Sequence, residues 1–144
     1  MDDNQKKICD IAKTWLGTPF VYGACRKGSG VDCAKLILGV FKEAQLLDNG
    51  VHPPHQHRDW NAGKNVNPDV FKNEILKYAD KIPFDERQPG DVISFIYRKV
   101  ESHLAILIED DCIIHAYQGR EVIKKRLRSF GNICSVYRIR NNGK

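Results

Sequence analysis

The sequence has no apolar run approaching the roughly 18 residues that a membrane-spanning helix needs, and it has no Cys-x-x-Cys pair. The first absence gives no reason to expect a membrane partner. The second, with an odd count of five cysteines, argues against both a zinc ribbon and a disulfide framework, so reduced thiols are expected. The N-terminus, MDDNQKKICD, lacks the apolar stretch and small-residue cleavage site of a signal peptide. The chain as written is therefore expected to be made in the cytoplasm and to reach any external substrate by another route. Acidic side chains are scarce near the end, where Arg120 to Lys144 holds eight basic side chains against Glu121 alone within a net charge of +5. That balance suits an anionic partner such as wall polymer, or a solvated basic face with none. Nucleic acid is the weaker candidate, because no base-reading motif accompanies the charge.

What is present fits one compact domain over residues 1–144, with 42% hydrophobic and 28% charged residues and neither repeat nor low-complexity tract. Ile8, Ile11, Ala12, Trp15 and Leu16 recur at helical spacing and Gly17 follows, which predicts an amphipathic helix over 2–16. TPFVYGACRKGSG reads as a loop. From Asp32, the positions Cys33, Leu36, Ile37, Val40, Phe41 and Ala44 define one helix face, with Cys33 in the first turn and facing inward. Residues 48–68 predict a long surface loop, and Val70, Phe71, Ile75 and Tyr78 a short helix at about 69–80. After Gln88-Pro89-Gly90, the runs DVISFIYRK, HLAILIED, CIIHAYQ, EVIKKRL and CSVYRIR predict a meander of antiparallel strands. Helices followed by strands make an α+β fold, with the helical layer on one sheet face.

A cysteine attacks as its thiolate, and a helix N-terminus favours that anion, which makes Cys33 the best nucleophile candidate among the five. It needs a base. His103 opens one predicted strand and His115 lies inside the next. A two-residue loop at Asp110-Asp111 would set the two histidines on opposite faces, whereas a three-residue loop from Glu109 to Asp111 would pair Ile108 with Cys112 and put both on one face. The three-residue loop, or a bulge, is predicted, with Asp111 left-handed. His103 then serves as base and His115 orients it. The competing reading of each residue alone is packing, since buried cysteines and strand histidines usually serve the core. No metal or cofactor is required; HPPHQH, with Cys25 or Asp59 nearby, could supply zinc ligands, but its spacing fits no standard motif.

These residues resemble the NlpC-type cell-wall cysteine peptidases, which have a reduced papain-like fold, and in particular members associated with phage and prophage tails. The similarity runs from about Thr14 to Ile139. LGTPFVYGA is similar to the family's Pro-Tyr-x-x-Gly-Gly segment, GVDCAKL to its Asp-Cys-Ser-Gly motif, QPGDVISF to its Pro-Gly-Asp strand, and SHLAILIEDDCIIHAYQG to its paired-histidine hairpin. The resemblance implies Cys33 as nucleophile, His103 as base and His115 as the polar third residue, with Asp32, Phe20 and Tyr22 near the substrate. It also implies hydrolysis of an amide in peptidoglycan stem peptides, commonly the bond after D-glutamate, by a protein that reaches the wall in a phage particle or through lysis, with phage tail proteins as possible partners. Phe20 stands where the family generally has a tyrosine, for which Tyr22 is a candidate replacement, and Ala34 and Lys35 stand where Ser-Gly is usual. Those departures support a second reading, a tail-tip structural or wall-binding protein with little catalysis; a third reading is an acyl transferase using the same thiol.

Overall fold

The structure, a computed structural model, describes residues 1–48, 50–51, 69–97 and 99–140. The candidate zinc ligands of HPPHQH and Asp59 lie outside the described residues. Helix α1 spans Asp3–Thr14 and opens on a capping box, in which the Asp2 carboxylate accepts from the Gln5 amide and the Gln5 side chain accepts from the Asp2 amide, each at 2.7 Å. Its buried stripe is Ile8, Cys9 and Ala12. Two short strands, β1 (Cys25–Arg26) and β2 (Gly30–Val31), form a small hairpin inside the segment read as loop. Helix α2, Cys33–Glu43, buries Cys33, Leu36, Ile37, Val40 and Phe41, the face expected from the sequence.

The apolar periodicity over 69–80 predicts one helix, but α3 covers Asp69–Leu76, and Ala79–Ile82 is a strand, β3. The remaining strands are β4 (Val92–Tyr97), β5 (Val100–Ile108), β6 (Cys112–Ala116), β7 (Val122–Arg126) and β8 (Asn132–Ile139). They form one six-stranded antiparallel sheet in the order β3-β8-β4-β5-β6-β7. A plain meander is therefore correct only for β4 to β7. Strand β8 returns across the sheet and inserts between β3 and β4.

The sheet separates two cores. Val92, Leu104, Ile106, Ile108, Ile114 and Tyr137 pack under α1 and α2, while Ile93, Phe95, Ala105, Leu107, Ile113 and Val136 form a second cluster with Leu127, Phe130 and Ile133. Alternation along each strand produces this division. Burying a Leu or Ile side chain contributes about 1.5–3 kcal/mol, so the continuous stripe of α2 fixes that helix, and with it the place of Cys33.

Candidate active site

The hairpin between β5 and β6 decides where the histidines lie. Ile108 pairs with Cys112 across the turn Glu109–Asp111, and both Asp110 (φ 63°) and Asp111 (φ 55°) are left-handed. Aspartate is among the few residues other than glycine that visit this conformation as single residues, and the Asp111 carboxylate is held by the Arg87 guanidinium. The odd turn puts the two imidazoles on one face, and His103 Nε2 lies 2.9 Å from His115 Nδ1 with the rings at right angles. Phe130 packs against both, its centroid 4.4 Å from His115 and 5.4 Å from His103.

Cys33 reaches the same region from the other direction. Leu107 exchanges backbone hydrogen bonds with Gly90 and Asp91 on the β4 side of β5, so the alternating Leu104 turns its own toward β6, while Ser102 is the extra residue of a bulge in β5, between the pairs His103–Phe95 and Glu101–Ile96. Pairing with β6, however, ends at Ile106–Ile114. The first turn of α2 fills the gap. The Cys33 thiol donates to the Ser102 carbonyl oxygen at 3.7 Å, and the amides of Leu104, Ala34 and Cys33 itself approach the sulfur. The sulfur thus sits on the backbone of the two residues flanking His103; the hydrogen bond it makes in this structure is to that backbone.

Protonation follows burial. Cys33 is 3% exposed, and its thiol is pushed up to about 12, first by loss of water and then by the Asp32 carboxylate, with the three amides opposing. Burial lowers His103 to about 3, helped by the neighbouring His115, and lowers His115 to about 4, helped by Lys125. At neutral pH the thiol and both imidazoles are neutral at rest. The helix terminus alone led to an expectation of an activated thiolate; burial overrides it here.

The other three expected residues divide. Phe20 lines a cleft of about 370 Å³ with His103, His115, Tyr117, Gln118 and Phe130. Asp32 is 6% exposed and holds the backbone together: one oxygen caps α2 through the Lys35 amide and the other accepts from the Gly23 amide, both at 2.8 Å. Tyr22 is half-buried in the turn before β1 and lies outside the cleft lining. Phe130 is a site residue that the sequence does not pick out, because only the return of β8 brings its segment over the histidines. Among the described residues no group of three or more His, Cys, Asp or Glu side chains is placed to hold a metal ion.

Residues 17–136 match the NlpC/P60 family over most of the chain. The chain belongs to the NlpC/P60 family. A gamma-DL-glutamyl hydrolase of Bacillus subtilis is 26% identical over 118 residues, which are 80% of this chain and 24% of that protein. The NlpC/P60 chain therefore spans about a quarter of that curated relative. Among solved structures, the domain of the peptidoglycan hydrolase SagA is 20% identical with a TM-score of 0.65, over 92% of this chain and 96% of that one. NlpC2 of Trichomonas vaginalis gives 19% and 0.67, over 96% and 47%, and the peptidoglycan hydrolase RipB of Mycobacterium tuberculosis 16% and 0.62, over 95% and 64%. At these identities the likeness establishes the papain-like fold of helices on an antiparallel sheet. The family is one of cysteine-peptidase-type hydrolases.

Proposed function

We propose that this NlpC/P60 chain cleaves a γ-glutamyl amide in peptidoglycan stem peptides, with Cys33 as nucleophile, His103 as general base and His115 as its orienting partner. The observation that carries the reading is the convergence of the Cys33 sulfur on the strand backbone flanking His103, whose Nε2 is already engaged by His115. With a proton on His103 Nε2 shared toward His115 Nδ1, Nδ1 of His103 is the nitrogen left to accept the thiol proton. Because thiol and imidazole are both neutral at rest, that transfer accompanies attack rather than preceding it. The sulfur bonds to the carbonyl carbon, and the amides around Cys33 receive the developing oxyanion. His103 then returns the proton to the leaving nitrogen as the carbon–nitrogen bond breaks. Water, deprotonated by the same imidazole, releases the acid from the thioester.

The bond between D-glutamate and the diamino acid is proposed from the motif resemblance and from the name of the Bacillus subtilis relative. Action from a phage or prophage tail, or after lysis, rests on the motif resemblance, and mass spectrometry of purified particles tests it. Digestion of purified peptidoglycan and defined muropeptides tests the chemistry. Cys33→Ala is expected to abolish fragment release, and His103→Ala to slow it by about 10²–10⁴-fold. A variant lacking Cys33 that matches wild type overturns the assignment. The deep burial of Cys33 and the phenylalanine at position 20 favour a second reading, a wall-binding protein with little catalysis. Co-sedimentation with walls and an unchanged muropeptide profile would select it.

A further inference from the structure

The basic run noted in the sequence divides once it is folded. Arg138 pairs with Asp91 and Arg140 with Asp80, and Lys144 lies outside the described residues. Arg120, Lys124, Lys125, Arg126 and Arg128 make no ion pair among the described residues, and all five lie on or beside β7, with Glu121 the only acid between Arg120 and Arg128. The excess charge of this end of the chain is thus concentrated on one structural feature.

That feature is a sheet edge, because β7 is the last strand of the six. Among the described residues its outer side is covered only at the start. Residues 17–20 run beside it: the Gly17 amide donates to the Val122 carbonyl (3.0 Å), the Val122 amide to the Thr18 carbonyl (2.8 Å), and the Phe20 amide to the Arg120 carbonyl (2.9 Å). At Gly17, with φ of 87°, the chain turns away. Backbone direction alternates along a strand, so Lys124 and Arg126 point their N–H and C=O groups to the same outer side as Val122. Among the described residues no backbone group meets them. Side chains alternate too. Val122 is buried under the helices, so Lys124 and Arg126 follow it on that face, and both are exposed. Lys125 projects on the other face, where its Nζ lies 5.8 Å from the Phe130 ring centroid.

We infer that the open half of β7 is a docking edge for an extended acidic peptide segment of a partner protein, added as a further strand where residues 17–20 leave off. Two observations select this partner. Cations project on both sides of the sheet plane, a pattern met by a chain lying along the edge and not by a flat membrane surface, which touches one face. The edge also presents carbonyl oxygens along with amides; the phosphates that would meet the cations offer the carbonyls no donor, whereas a peptide backbone supplies donors and acceptors in strand register. Lys124 and Arg126 stand about 6.6 Å apart, the spacing of alternate side chains on the added strand.

The test uses the intact protein and a blocked hexapeptide of alternating glutamate and valine, followed by ¹⁵N chemical shifts and fluorescence anisotropy. Binding is expected to move the amide signals of Lys124 and Arg126 and to weaken with salt. The double substitution K124E/R126E, at exposed positions, is expected to weaken it by about tenfold or more while leaving the remaining amide dispersion intact. The same peptide N-methylated at alternate bonds keeps its charge but cannot complete the ladder, and should lose at least about tenfold. A thymidine oligonucleotide that binds as tightly as the peptide, with N-methylation having no effect, overturns the inference in favour of a general polyanion. If neither probe binds at low salt, the cations serve only to keep the edge from pairing, and the inference fails.

Discussion

At Cys33 two effects oppose one another, since three backbone amides favour the thiolate while removal from water and the Asp32 carboxylate disfavour it, and the thiol ends at about 12. Reactivity in the resting protein therefore follows exposure rather than position at a helix start. With iodoacetamide at about pH 7.5, the exposed Cys25 and Cys134 are expected to alkylate well before Cys33. Peptide mapping by mass spectrometry checks the order; preferential labelling of Cys33 near pH 6 would mean that a thiolate is already formed. The placement of Cys33 and of both histidines was legible in the sequence because it is local: a cap residue before an apolar stripe, and a turn whose odd length fixes which face His115 takes. Phe130, and the Ser102 and Leu104 backbone under the sulfur, were not. They meet the site through a bulge in β5 and the path of the segment between β7 and β8, neither of which leaves a periodic signal. Asp32 shows the limit from the other side, since it stands in the right motif yet spends its carboxylate oxygens on the Lys35 and Gly23 amides.

Among the elements, α2 carries the site, and its position depends on how closely α1 approaches it. Gly39 is the contact point. A Cβ there would lie 2.8 Å from two ring carbons of Trp15 and 3.2 Å from the Cys25 sulfur. The indole is a rigid ring and Trp15 is buried, so the clash cannot be relieved by swinging a flexible tip aside. Gly39→Val is expected to destabilise the protein by about 1–3 kcal/mol through overpacking, read as a lowered urea midpoint at unchanged slope. A midpoint equal to wild type would mean that the helices have room to separate. Both helices were readable from apolar residues at three and four positions, and strands β5 and β6 from short β-branched and aromatic runs set between turn residues. Strand β3 was not, because Ala79, Asp80, Lys81 and Ile82 carry little apolar pattern and become a strand only by pairing with β8. The same distant partner explains why a meander was expected: adjacency in sequence predicts β4 to β7 correctly, while the insertion of β8 is a choice made by the whole sheet.

For the whole molecule, the buried imidazole pair ties global stability to pH. His115 is fully buried and its pKa falls from an ordinary 6.5 to about 4; His103 falls further, to about 3. Below pH 6.5 the unfolded chain binds protons that the folded one refuses, so stability is complete above that pH and declines as pH drops toward the folded values. For His115 alone the difference corresponds to roughly 3 kcal/mol. Wild type is therefore expected to lose folding free energy steeply between about pH 6.5 and 4, measured by urea unfolding at each pH. His115→Asn removes one of the two groups that must stay neutral. Whatever its stability at pH 7, its decline over the same interval should be shallower by about that amount. The comparison of slopes separates linkage from packing, because a merely structural loss lowers the whole curve without changing its pH dependence. Parallel curves for wild type and His115→Asn would show that His115 accepts a proton in the folded state as readily as in the unfolded one, and the neutral resting pair from which the proposed attack begins would have to be abandoned.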